Sequence, residues 1–242
     1  MRAVITAGAT IGGAFAREAK TSVKALASVR GETMLARAIA AARGCDVAGI
    51  AVVGGDEVRE ACERAVERVI PAAPSGAENL KRALYAWPDD EPLLYLTSDL
   101  PYVDARSVGD FVKRSCDRLT IALTSYESFA RRFPHAPLFG VRIGRERIVS
   151  GGAFVLPAGC AARIGTLAQR FFDARKRPWQ MARLAGLGVL ARFALGVLGV
   201  PDLEARAQRV IGVPVGAIPD CAPELAFDAD DAESYRYAMD HR

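Results

Sequence analysis

The chain has 242 residues, of which 32 are Lys or Arg and 28 are Asp or Glu, for a net charge of +4. With 51% of residues apolar and 25% charged, it reads as one globular α/β chain with a substantial core. The mild, dispersed charge excludes the basic stripe of a nucleic-acid binder, and no apolar run reaches the roughly 20 residues of a transmembrane span.

The first apolar strand, Arg2 to Thr6, runs directly into a glycine-bearing loop that carries Arg17, Lys20 and Lys24. Glycines let backbone N–H groups approach an anion closely and cations neutralise it, so this loop suits a polyphosphate. It contains neither G-x-x-x-x-G-K-[ST] nor a clean G-x-G-x-x-G, which excludes a Walker P-loop and leaves a dinucleotide fold poorly supported. Arginine outnumbers lysine 27 to 5, a skew that reads as GC-rich coding bias. Where lysine survives such a bias a compact ammonium is needed, and two of the five lysines, Lys20 and Lys24, fall in this loop.

Further apolar runs follow at Ala48–Val53, Arg68–Ile70, Leu93–Leu96 and Leu119–Leu123, separated by amphipathic stretches at 32–43, 56–66, 77–86 and 104–115. Runs that are apolar throughout suggest strands buried on both faces, hence a mostly parallel sheet with helices on each side. In such sheets ligands bind at the carboxyl ends of the strands, which directs attention to the loops after the first and fourth. Residues 134–156 predict short strands broken by turn glycines (Gly140, Gly144, Gly151, Gly152), and 160–210 reads as largely helical. A last strand at Val213–Ile218 leads to the acidic turn FDADDAES and a helix near 231–240. No repeat or linker interrupts the chain, which divides into halves at 1–125 and 126–242.

The fourth strand ends in Thr97-Ser98-Asp99-Leu100-Pro101. Asp99 stands where ligands bind and suits Mg²⁺, which takes a few carboxylate oxygens with waters and phosphates; equally, it fits a cap or Asx-turn before the helix near Asp104. Asp228 and Asp230 alternate along an extended segment, so they face the same way and could complete a metal site with Asp99. The other reading of this acidic run is the N-cap and first turn of the last helix, which competes closely for Asp228 and Asp230 and is the one taken for Asp231 and Glu233. Ser75 and Gly76 offer hydroxyl and backbone groups to a base or ribose, while Ser75 also fits an N-cap with Glu78 as its capping-box partner. The basic cluster Arg170, Arg175, Lys176 and Arg177 reads as a solvated helix end, with an acceptor phosphate or anionic lipid as the other reading. The apolar stretch 184–200 is expected to be buried core rather than a membrane anchor, and would also suit a greasy acceptor. Scattered cysteines (Cys45, Cys62, Cys116, Cys160, Cys221) fit unpaired thiols in a reducing cytoplasm. The two histidines, His135 and His241, are far apart, so a histidine metal site or Ser-His-Asp triad is not expected.

The opening AVITAGA…KAL, the VRGETML after it, the IAVVGG of the second strand, TSDLP after the fourth and LAFDADDAESYRYA near the end resemble the MobA-like NTP transferases. These are nucleotidyltransferases of the GT-A type, related to molybdenum-cofactor guanylyl- and cytidylyltransferases. The resemblance implies a Rossmann-like three-layer sandwich and transfer of a nucleoside monophosphate from an NTP to a phosphorylated acceptor, with Mg²⁺ and release of pyrophosphate. Ala7, Gly8 and Ala9 would wrap the triphosphate, Arg17 would match the family arginine, and Lys24 would neutralise the phosphates. Asp99 would bind the metal. The family usually has a second glycine where Ala9 stands; at a positive φ an alanine there would cost about 1 kcal/mol. Many relatives have an Asn where Gly152-Ala153 stands. Two alternatives follow: a catalytically silent nucleotide-binding relative, or a nucleotide-sugar glycosyltransferase, which would want a D-x-D that Ser98-Asp99-Leu100 does not supply. A cytoplasmic protein is expected, and the sequence leaves oligomeric state open, a homodimer included.

Overall fold

The computed structural model describes residues 1–115, 117–137, 140–174 and 186–241, with the side chains of 168–174 excepted. Cys116 and the cluster 175–177 lie outside the described residues, as does the side chain of Arg170. The chain runs β1 (Arg2–Thr6), α1 (Gly13–Ala19), a 3₁₀ turn (Lys24–Leu26), β2 (Ser28–Val29), β3 (Glu32–Thr33), α2 (Met34–Arg43), β4 (Ile50–Gly54) and α3 (Asp56–Cys62). It continues through β5 (Arg68–Pro71), α4 (Gly76–Leu84), β6 (Leu93–Thr97), α5 (Ala105–Arg114), β7 (Leu119–Ser125), α6 (Tyr126–Arg132), β8 (Val141–Ile143) and β9 (Glu146–Leu156). The last elements are α7 (Ala161–Ala174), α8 (Leu187–Ala194), α9 (Val200–Ile211), β10 (Val215–Ile218) and α10 (Ala232–Asp240).

The main sheet has the order β10-β7-β9-β6-β1-β4-β5, with β8 added against β9. Contacts of β1 with β4 and β6, of β4 with β5 and of β10 with β7 are parallel; β9 runs antiparallel between β6 and β7. Both halves of the chain thus supply strands to one sheet. The side-chain alternation of β1 divides the core: Ala3 and Ile5 pack with α2, α3 and α5, while Val4 packs on the other face with α4. Leu84 of α4 and Ala161 of α7 extend that second layer. The result is the Rossmann-like three-layer α/β sandwich that the apolar runs imply.

The local chemistry of the helix starts is regular. Thr33 caps α2, Ser75 caps α4, and Asp104 and Asp231 form capping boxes with Ser107 and Ser234. Glu78 departs from its expected role: it is not a capping-box partner but pairs with Arg82 one turn on, at 3.8 Å. Two helices, α1 and α6, each seven residues long, are not announced by the sequence pattern.

The segment 134–156 differs from the expected broken strands. Gly144, at φ +59°, makes the turn between β8 and β9, but Gly151 and Gly152 lie inside the unbroken strand β9. Their function is close packing. A Cβ on Gly152 would stand 2.3 Å from Thr97 Oγ1, and one on Gly151 would stand 2.8 Å from the Leu225 carbonyl. Here the register of β9 against β7 shifts between Ile121 and Leu123, a β-bulge at the paired glycines. Replacing Gly152 by alanine is expected to lower the unfolding free energy by about 1–3 kcal/mol through overpacking, measured by urea denaturation. Gly12→Ala, where a Cβ meets nothing within 4 Å, should change it by less than about 0.5 kcal/mol.

Candidate active site

The segment after β1 folds back on itself. Thr10 and Val23 form an antiparallel bridge, Ile11 N–H donates to Ser22 at 2.8 Å, and Lys24 N–H donates to the Ala9 carbonyl at 2.9 Å. Closing the excursion brings Lys24 back beside the end of β1. At its tip, Phe15 of α1 is buried against Tyr235 of α10, with ring centroids 5.0 Å apart. Arg17 lies on α1 and is exposed.

Lys24 is 8% exposed and its ammonium donates to Asp99 Oδ2 at 2.6 Å and to Asp230 Oδ1. The acidic turn is tied to the end of β6 through the backbone as well, Ala229 N–H donating to the Asp99 carbonyl at 3.0 Å. Burial pushes the Lys24 ammonium toward losing its proton, but the Asp99 charge and hydrogen bonds to both aspartates outweigh it and raise its pKa. Asp228 completes the cluster. Its burial, then the charges of Asp230 and Asp99, push its carboxyl up to about 7. Among the described residues, Asp99 Oδ1 is buried with no hydrogen-bond partner.

Asp99 does not cap the following helix, a role that Asp104 fills. The chain therefore brings Lys24, Asp99, Asp228 and Asp230 together at the carboxyl edge of the sheet, from segments up to 206 positions apart. Ala7 is buried, with its N–H on the Val53 carbonyl at 2.8 Å, and Gly8 and Ala9 lead away from it. A Cβ on Gly8 would stand 2.9 Å from Ala72 Cβ and 3.1 Å from Asn79 Nδ2. Ala9 is not at positive φ, so the strain expected of an alanine there does not arise. Ser75 and Gly76 are exposed at the start of α4, across from Gly8. Arg17 is not brought into the carboxylate cluster. Ala153 is fully buried in the core.

Asn79 was not singled out by the sequence. Its side chain accepts from Ala73 N–H at 2.6 Å and donates to the Ala73 carbonyl at 3.0 Å, fixing the segment that abuts Gly8. The available signal was a polar residue on the inward face of an amphipathic helix.

Among the described residues no three His, Cys, Asp or Glu side chains are arranged as a metal site; the Lys24 ammonium lies between Asp99 and Asp230 instead. Residues 12–226 match the model of the MobA-like NTP transferase domain. The chain belongs to that family. A hypothetical transferase from Thermus thermophilus shares the fold of this MobA-like transferase at a TM-score of 0.86 and 27% identity, over 97% of this chain and 100% of the other. CTP:phosphocholine cytidylyltransferase from Streptococcus pneumoniae matches at a TM-score of 0.59 and 12% identity, over 99% and 97%. 4-Diphosphocytidyl-2C-methyl-D-erythritol synthase from Anaerococcus prevotii matches at 0.56 and 11%, over 99% and 96%. At those lower identities the likeness is one of fold. No curated protein matches the chain.

Replacing Lys24 by methionine in this transferase leaves Asp99 without its cation. Breaking a buried pair costs about 3–5 kcal/mol, and a loss at the low end is expected in chemical denaturation because Asp230, with its side chain 63% exposed, can rehydrate.

Proposed function

We propose that the chain transfers a nucleoside monophosphate from an NTP to a phosphorylated acceptor and releases pyrophosphate, with Mg²⁺ as cofactor. The observation that carries this reading is the buried Lys24 ammonium among Asp99, Asp228 and Asp230, beside the Ala7–Ala9 loop. Fully ionised, three carboxylates against one ammonium leave two negative charges, the charge of one divalent cation. The unpartnered Oδ1 of Asp99 is a buried acceptor that a hard cation would satisfy. Asp99 and Asp230 would hold Mg²⁺, with Asp228 beside them. When bound, the ion supplies charge neutralisation at the phosphates.

The NTP would lie over Ala7, Gly8 and Ala9, with Ser75 and Gly76 toward its base or ribose. An acceptor phosphate oxygen attacks the α-phosphorus in line; the bond from that phosphorus to the bridging oxygen breaks, and pyrophosphate leaves with its electrons. A phosphate nucleophile has no proton to surrender near neutrality, so the site needs no general base. Lys24, whose neighbours hold it protonated, would offer its positive charge to the triphosphate. Positioning and charge stabilisation then account for the rate.

Pyrophosphate release should appear with one of the four NTPs, Mg²⁺ and a pool of phosphorylated metabolites, and fall at least about 100-fold in Asp99→Ala. Tight NTP binding by calorimetry without release from any pool would instead identify a nucleotide-binding protein without transferase activity. Without a divalent cation, calorimetry should show NTP binding weakened by about tenfold or more, because the triphosphate then faces uncompensated carboxylates.

A further inference from the structure

The stretch 184–200, expected to be core, supplies α8 and the turn after it, and they are exposed. Leu187 is 86% exposed, Phe193 60%, Leu195 75% and Val197 55%. Leu190 is also exposed, so Leu187, Leu190 and Phe193, three positions apart, form an apolar face of α8 turned to solvent. The helix is anchored at its C-terminal end. Arg192 pairs with Asp202 of α9 at 2.9 Å, and Leu198 is buried. The Leu198 carbonyl stands 2.6 Å from where a Cβ of Gly144 would be, so this apolar projection abuts the β8–β9 turn.

The hairpin at that turn continues the surface. Val141 is 64% exposed, and Arg142, Arg145 and Arg147 are exposed beside Glu146 as the only acidic residue of the two strands. Because β9 runs antiparallel to β6 and β7, its beginning, Ile148 to Ser150, lies against the carboxyl end of β7. The projecting helix and hairpin are therefore at the edge of the sheet that carries Asp99. From Glu146 to Gly152 the strand spans roughly 20 Å.

We propose that α8 and the β8–β9 hairpin form a docking surface for an anionic lipid bilayer, into whose headgroup region the apolar side chains insert. Charge selects this occupant. The apolar projection abuts a hairpin that exposes Arg142, Arg145 and Arg147 beside a single acidic residue, Glu146, and apolar side chains next to exposed cations are the pattern by which interfacial surfaces engage anionic lipids. A second copy is a poorer fit, because a two-fold contact would set the hairpin arginines of one copy against those of the other. No helix among the described residues is long and apolar enough to cross a membrane, so the surface lies on the bilayer. The proposal is independent of the transfer reaction.

The test is co-sedimentation of the full chain with vesicles of phosphatidylcholine alone and of phosphatidylcholine mixed with phosphatidylglycerol. Sedimentation with the mixed vesicles, reversed by salt and weakened on the order of tenfold in Leu187→Ser/Phe193→Ser, is the expected result. Arg142→Ser/Arg145→Ser on the hairpin supplies an independent variant and should abolish the preference for the mixed vesicles. Wild-type protein remaining in the supernatant with both vesicles overturns the proposal. So does a dimer in light scattering that Leu187→Ser/Phe193→Ser dissolves, which would make this face an interface between copies.

Discussion

A single buried ammonium joins three parts of the chain. Lys24 comes from the closed excursion after β1, Asp99 from the end of β6 and Asp230 from the turn before α10. Removing an ammonium from water is costly unless its charge is answered at close range. The requirement binds each partner: the excursion must close to return Lys24, β6 must end where Asp99 faces it, and the acidic turn must be held against β6. The hydrogen bond from Ala229 to Asp99 and the docking of Phe15 on Tyr235 serve that arrangement. The same closeness leaves the carboxylates in excess of the one ammonium, the feature on which the proposed divalent cation rests.

The aromatic packing under α10 holds this arrangement in place. Phe133 and Phe227 pack at 5.0 Å, Tyr102 lies 4.6 Å from Phe133, and Tyr235 donates to the Ser28 carbonyl at 2.7 Å. Tyr102 follows Asp99 by three positions and Phe227 precedes Asp230 by three, so the cluster fixes both carboxylate segments from behind. Such rigid support beneath a polar site holds its charged groups in place for chemistry.

Much of this architecture is legible in the sequence because buried parallel strands leave unbroken apolar runs. All five runs of the first half become strands, and IAVVG, buried along its length, is the clearest. Asp99 and Asp230 are legible as partners from the strand end and the alternating acidic turn, but the ammonium of Lys24 between them is not, since charge pairing across 206 positions leaves no local pattern. The glycines of β9 misled because tight packing and turns make the same demand for a missing side chain. Residues 184–200 misled for a related reason: apolar composition reports a preference to leave water without saying what will cover it. Asn79 was illegible because its importance lies in what it fixes, the segment facing Gly8.

The placement of β9 bears on how the protein is made. The strands on either side of it, β6 and β7, are synthesised earlier, yet neither can complete its hydrogen bonding until residues 146–156 arrive between them. During elongation the nascent sheet therefore carries two open edges, the exposure that chaperones exist to shield. Asp230 emerges later still. A ribosome must pass residue 230 before Lys24 has both of its partners, so a product interrupted earlier holds an incompletely paired charge, a state suited to recognition by proteolysis.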